Sequence, residues 1–183
     1  SGNSAKSALN FDADLDALHN IVQDFVSNMI EQPPVVRRTL LCDITRLCLF
    51  FGRTRTSGHV LPLLITFLNE RTDWQLRATF FEHIPGVAAL VGPLALQQFL
   101  LPCIVQALQD VEELVIEKTL SCLYALIHLG LLDTTMMTEL TAKVVCLVYH
   151  PSTWIRYAVI RLLAGLVSTD RFGMVEVQVS IVR

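Results

Sequence analysis

Thr72-Asp73-Trp74-Gln75-Leu76-Arg77 opens a helix. An oxygen-bearing side chain followed three residues later by Gln75 fits a capping box, in which the cap accepts from the N3 amide and the N3 side chain reaches back. Asp110-Val111-Glu112-Glu113 fits the same pattern, and Asp133 and Thr153 suit simpler caps. Beyond each start, apolar residues return at helical spacing, and nothing alternates long enough to predict a strand. Leu15, Leu18, Val22, Phe25 and Met29 stripe a first helix. A second carries Leu40, Leu41, Ile44, Leu47, Cys48 and Phe51, is introduced by Pro33-Pro34 and is ended by Gly52. Val60–Asn69, Trp74–Val91, Leu94–Leu108, Leu114–Leu131, Met136–Tyr149 and Trp154–Val167 continue the series, giving about eight helices.

Alternate helices resemble one another. Val36-Arg37, Leu76-Arg77, Glu117-Lys118 and Ile155-Arg156 place a basic residue early in the second, fourth, sixth and eighth helices, at intervals of 40, 41 and 38 residues. Trp74 and Trp154 stand two such periods apart. A period near 40 built from helix pairs predicts an all-α solenoid of HEAT type with about four pairs. One pair cannot bury its apolar face alone, so neighbours stack on a shared core. The units expected are 11–53, 58–92, 94–132 and 134–169, after a flexible segment or cloning scar at 1–10 and before the truncated start of a further repeat at 170–183. Asp73 and Arg77, four apart, suit a pair on one face, and the matched tryptophans suit packing between repeats.

Composition agrees with a large helical core. The 183 residues are 52% hydrophobic and 17% charged, with 8 Gly and 7 Pro, which excludes a disordered or collagen-like chain. Fourteen Lys plus Arg against seventeen Asp plus Glu leave a charge of -3, with no basic excess for nucleic acid. Mean hydropathy is +0.51, so a membrane span has to be tested. The uncharged run from His83 to Gln109 is long enough, but Pro85, Gly86, Gly92, Pro93 and Pro102 cut it. Pro85-Gly86 is expected to kink or divide its helix.

Reaction machinery is not legible. There is no glycine-rich phosphate loop and no nucleophile elbow. Asp170-Arg171-Phe172-Gly173 has an inserted arginine that spoils a kinase-type metal-binding triplet. Five scattered histidines lack carboxylates at ligand spacing, and Cys42, Cys48, Cys103, Cys122 and Cys146 form no CxxC pair and read as small buried hydrophobes. Glu112-Glu113 reads as first-turn carboxylates favoured by the helix dipole. We therefore expect no catalytic residue, no metal site and no cofactor, and a chain that works by holding other proteins.

Particular strings are more specific than the period. Leu15-Asp-Ala-Leu-His19, Ile44-Thr-Arg-Leu-Cys-Leu-Phe-Phe-Gly-Arg53, Ile65-Thr-Phe-Leu-Asn-Glu-Arg-Thr-Asp-Trp74 and Gly86-Val-Ala-Ala-Leu-Val-Gly92 resemble the regulatory subunit of the class III phosphatidylinositol 3-kinase complex. So do Glu112-Glu-Leu-Val-Ile-Glu-Lys118, Leu129-Gly-Leu-Leu132 and His150-Pro-Ser-Thr-Trp-Ile-Arg-Tyr157. The resemblance runs from about Phe11 to Thr169, with Pro85 as a departure, and covers the central solenoid of that family alone. It implies a parent with a kinase-like domain upstream and a WD-repeat propeller downstream, the former usually myristoylated. It also implies partners, namely the lipid kinase catalytic subunit and a Beclin-type subunit. The complex makes phosphatidylinositol 3-phosphate for autophagy and endosomal sorting, so the implied location is cytoplasmic, with membranes met only through the complex. A HEAT scaffold of a transport or phosphatase complex is the alternative.

Overall fold

The computed structural model describes residues 2–168, and among them every regular element is helical. In chain order these are α1 (Gly2–Asn28), α2 (Pro34–Cys42), α3 (Ile44–Arg55), α4 (Leu61–Thr66), α5 (Trp74–Val91), α6 (Pro93–Ala95), α7 (Leu101–Ala107), α8 (Glu113–His128), α9 (Thr134–Val145) and α10 (Thr153–Ser168). Short 3-10 or π turns extend several of them, so the elements join into eight rods in four antiparallel pairs. α1 begins at Gly2, within the stretch expected to be a flexible lead-in; Ala5, Lys6, Ala8 and Leu9 are good helix formers. The expected further repeat at 170–183 and the Asp170–Gly173 string lie outside the described residues.

Three glycines punctuate the pairs. Gly52, Gly92 and Gly130 have φ of 73°, 87° and 68°, and each ends the second helix of a unit. A left-handed residue there lets the last carbonyls find amides: Leu131 N–H reaches the Leu126 carbonyl at 3.1 Å. Gly52 does this inside α3, separating the second rod, which ends at Phe51, from the third.

The first helices of units two and three share another mark. Thr56–Val60 and Leu96–Leu100 widen into π turns, and each leads into a Leu-Pro step at Leu61-Pro62 or Leu101-Pro102. A proline ring clashes with the carbonyl of the preceding turn and removes a donor, and a widened turn absorbs both effects. Pro85 does not divide its helix: α5 runs from Trp74 to Val91. Its neighbours Phe80, Phe81, Ile84, Val87 and Ala88 are all buried, and packing of this kind, roughly 2 kcal/mol per large apolar side chain, offsets the lost bond.

Each second helix packs on the next, α3 on α5, α5 on α8 and α8 on α10. Their crossings are close because one position stays small. A Cβ on Gly86 would stand 2.4 Å from Thr45 Oγ1, and one on Gly165 would stand 2.7 Å from Tyr124 Cε2. Gly86 and Gly165 are each the thirteenth residue of their helix, and Ala125 holds that place in α8.

Gly86→Ala is therefore expected to destabilise the chain by about 1–3 kcal/mol, although alanine is the better helix former. Thr45→Ala in the same chain restores most of the loss. Urea unfolding of the two single variants and the double checks this, and additive losses would contradict it.

Candidate docking surface

The early arginines of the second helices join one repeat to the next. Arg77, the fourth residue of α5, is buried. Its Nε and Nη2 donate to Asp110 Oδ2 and Oδ1 at 2.8 and 2.9 Å, while Nη1 donates to the carbonyls of Glu70 and Arg71 at 2.8 and 3.1 Å. One guanidinium thus holds the loop of its own unit and the loop of the next. Hydrogen bonding to Asp110 raises the Arg77 pKa further. Burial pushes the Asp110 carboxyl up, but the Arg77 fork and the amides of Glu112 and Val111 outweigh it and hold the carboxyl below the usual range.

The rung before it is similar. Arg37, also fourth in its helix, donates from Nη2 to Glu70 Oε2 at 2.9 Å and lies over the Phe67 ring at 5.6 Å. The Thr72 hydroxyl first, and then Arg37, lower the Glu70 pKa. Arg38 donates to Asp73 Oδ1 at 3.2 Å and to Gln75. Asp73 thereby meets the arginine of the preceding unit, whereas the sequence suggested Arg77. The same Asp73 caps α5, accepting from Leu76 N–H at 2.8 Å. With the cap at Asp73, the N3 residue is the apolar Leu76 and no reciprocal box forms, so Thr72 donates instead to Glu70.

Asp110 lies two residues before the cap position of α8, which Glu112 occupies. Its side chain accepts from Glu112 N–H at 2.9 Å and serves the arginine rung, so the expected capping box is absent here too. Asp133 caps α9 by accepting from Met136 N–H at 2.8 Å.

The third rung is missing. The fourth residue of α8 is the buried Ile116, and the loop position forty residues after Asp110 is His150. Lys118 lies two residues further on, on another face of the helix, and donates backwards to Glu82 at 3.3 Å. Arg156 recovers the local half of the pattern: its Nη1 donates to the carbonyls of His150 and Pro151, both at 2.8 Å.

A groove of about 510 Å³ opens between α8 and α10, from Glu113 to Tyr124 on one and from Trp154 to Arg161 on the other. Leu114, Leu120 and Tyr124 form one wall and Trp154, Tyr157 and Ala158 the other. Arg161 lies over the Tyr124 ring at 4.5 Å, and Glu113 and Glu117 edge the α8 side. Trp154 is 78% exposed, while Trp74 packs half-buried against the core, so the two tryptophans do not share an environment. Counted from the arginines, Trp74 precedes Arg77 by three residues and Trp154 precedes Arg156 by two, a shift that carries the second ring to the surface.

No group of three or more metal-ligating side chains occurs among the described residues, and no helix there is long and apolar enough to cross a membrane. Cys48 and Cys122 are buried, which pushes their thiols up to about 11 and about 12, so both stay protonated. Cys103 is half-buried, and Cys42 and Cys146 are exposed, so the five do not share the buried setting expected. Arg37, Arg38, Glu70, Asp73, Arg77 and Asp110 come together as one continuous strip, whereas Lys118, Trp154 and Arg156 stand apart from it.

Arg77→Ala strands Asp110 and is expected to cost about 3 kcal/mol of stability. Asp110→Asn loses less near neutral pH, and the gap between it and the parent depends on acid. The folded-state pKa of Asp110 lies below the unfolded value of about 3.9, so its contribution is complete above that value. It disappears as pH falls through the lower, folded value, because the unfolded chain takes up the proton first. Urea unfolding of both chains between about pH 6 and pH 2 reads this, and a gap unchanged at the acid end would contradict it.

The model of the family described as "PIK3R4-like, middle domain" matches residues 1–183. The chain is 45% identical over 158 residues to a probable serine/threonine-protein kinase vps15 of Dictyostelium discoideum, covering 85% of this chain and 8% of that protein. It is 38% identical over 170 residues to serine/threonine-protein kinase VPS15 of Arabidopsis thaliana, covering 91% and 11%. A non-specific serine/threonine protein kinase of Candida glabrata is 34% identical over 152 residues, covering 82% and 11%. The chain thus spans about a tenth of the length of these relatives, and it belongs to the PIK3R4-like family as its middle domain.

Proposed function

We propose that this chain is a non-catalytic scaffold segment of the class III phosphatidylinositol 3-kinase regulatory subunit. It holds the lipid kinase catalytic subunit and a Beclin-type subunit in the arrangement that makes phosphatidylinositol 3-phosphate for autophagy and endosomal sorting. The observation that carries the reading is the family match across residues 1–183. The architecture supports it: stacked repeats, two of them joined by a buried arginine fork, transmit position along a solenoid, which is the physical requirement of a spacer. The relatives are named as kinases, and in this reading their phosphotransfer machinery lies outside the segment matched here. The complex works in the cytoplasm on endosomal and autophagic membranes, which the solenoid meets through its partners.

Affinity purification of the tagged full-length parent at native expression, followed by mass spectrometry, tests this. The expected result is recovery of a phosphatidylinositol 3-kinase catalytic subunit together with a Beclin-type protein. Recovery of transport factors or of a phosphatase catalytic subunit instead would contradict the proposal and favour a different HEAT-type scaffold.

A further inference from the structure

We infer that the groove between α8 and α10 is a docking site for an amphipathic helix of a partner protein, one that carries basic residues beside its apolar face. The inference rests on the scaffold reading above and adds to it a site and the chemistry of what fills it.

Three observations lead there. The floor and walls are apolar, with Leu114, Trp154 and Tyr157 exposed at the surface rather than folded inward. The cavity follows α8 from Glu113 to Tyr124, about 17 Å at 1.5 Å per residue, which is room for about three turns of a helix laid along it. Its edge has a charge to satisfy: Glu113 and Glu117 have no basic partner among the described residues, and Glu117 accepts only from Ser121, at 3.0 Å. The cation of the groove, Arg161, is already stacked on Tyr124. An apolar ridge flanked by lysine or arginine matches both features, and an acidic ridge matches one.

A side-chain bridge is lacking where the opening lies. On the matching face between α5 and α8, Lys118 bridges to Glu82 at 3.3 Å, whereas the same helical positions in α8 and α10 are Ser121 and Ala158, which line the groove; α8 and α10 also meet at Gly165, where an added Cβ would press on Tyr124 and His128. Trp154 and Tyr157 stand exposed on α10, and large aromatic side chains of this kind are enriched where partners dock.

The test uses this chain and two hydrocarbon-stapled helical peptides of about fourteen residues, with leucines at i, i+3, i+4 and i+7. One carries lysines along the flank of that ridge, and its twin carries glutamates. The lysine peptide is expected to bind about tenfold more tightly and to shift Trp154 emission to the blue, a signal lost in Trp154→Phe. Glu113→Lys with Glu117→Lys reverses the preference, and circular dichroism checks that these surface variants remain folded. Equal binding of both peptides, a preference that the charge reversal leaves unchanged, or an unmoved Trp154 emission would overturn the proposal. So would concentration-dependent dimers abolished by Trp154→Ala, which would seat a second copy in the groove. A red shift of Trp154 on ending the chain at Ser168 would seat residues 169–183 there and overturn it as well. None of these results bears on which subunits the full-length parent recovers, so the two readings fail separately.

Discussion

The fork from Arg77 to Asp110 is the interaction on which the rest of this structure depends. It is nearly buried, bidentate and long-range, joining residues 33 apart in two successive units. Apolar stacking alone is non-directional and would tolerate sliding of one repeat on the next. A guanidinium fixed at once to two carbonyls of its own loop and two oxygens of the next admits one register. Because Arg77 and Asp110 would each be costly to bury unpaired, the fork contributes more to specificity than to net stability.

Other repeated features complete that register. Left-handed glycines turn the chain at the end of each of the first three second helices. Small residues at the thirteenth position let those helices approach at distances that a larger side chain would prevent. Widened turns before Pro62 and Pro102 shape the first helices of the middle units in the same way. A solenoid built from such nearest-neighbour terms has local strengths and weaknesses, and a unit lacking one term is free to open there. Between α8 and α10, Ser121 and Ala158 stand where Glu82 and Lys118 pair between α5 and α8, and apolar side chains there face a groove.

Much of this was legible in the residues. The helices and their order follow from apolar spacing, the pairing at a period near 40 was read from the early basic residues, and Gly52 and Asp133 act as their types suggest. Partners were harder to read, because a carboxylate four residues away competes with one 33 residues away that only stacking brings close. Asp73 therefore paired on paper with Arg77, while in space it meets Arg38. Lys118 misled for a similar reason: a basic residue near the period looks equivalent until it is counted from the start of the helix, which puts Ile116 in the arginine position. The shared interval between Arg77 and Arg156 and between Gly86 and Gly165 was the available signal for that register. Pro85 shows the limit of local rules, since burial of its neighbours keeps α5 continuous.

The central claim is that arginine rungs set how firmly each repeat is held to the next. Native-state hydrogen exchange across the chain tests it most directly, because amides that open together report a shared free energy. The account predicts that the first turns of α5 and α8 open together at high free energy, and that the first half of α10 opens separately and more easily. Common protection across the starts of α8 and α10, equal to that between α5 and α8, would contradict it.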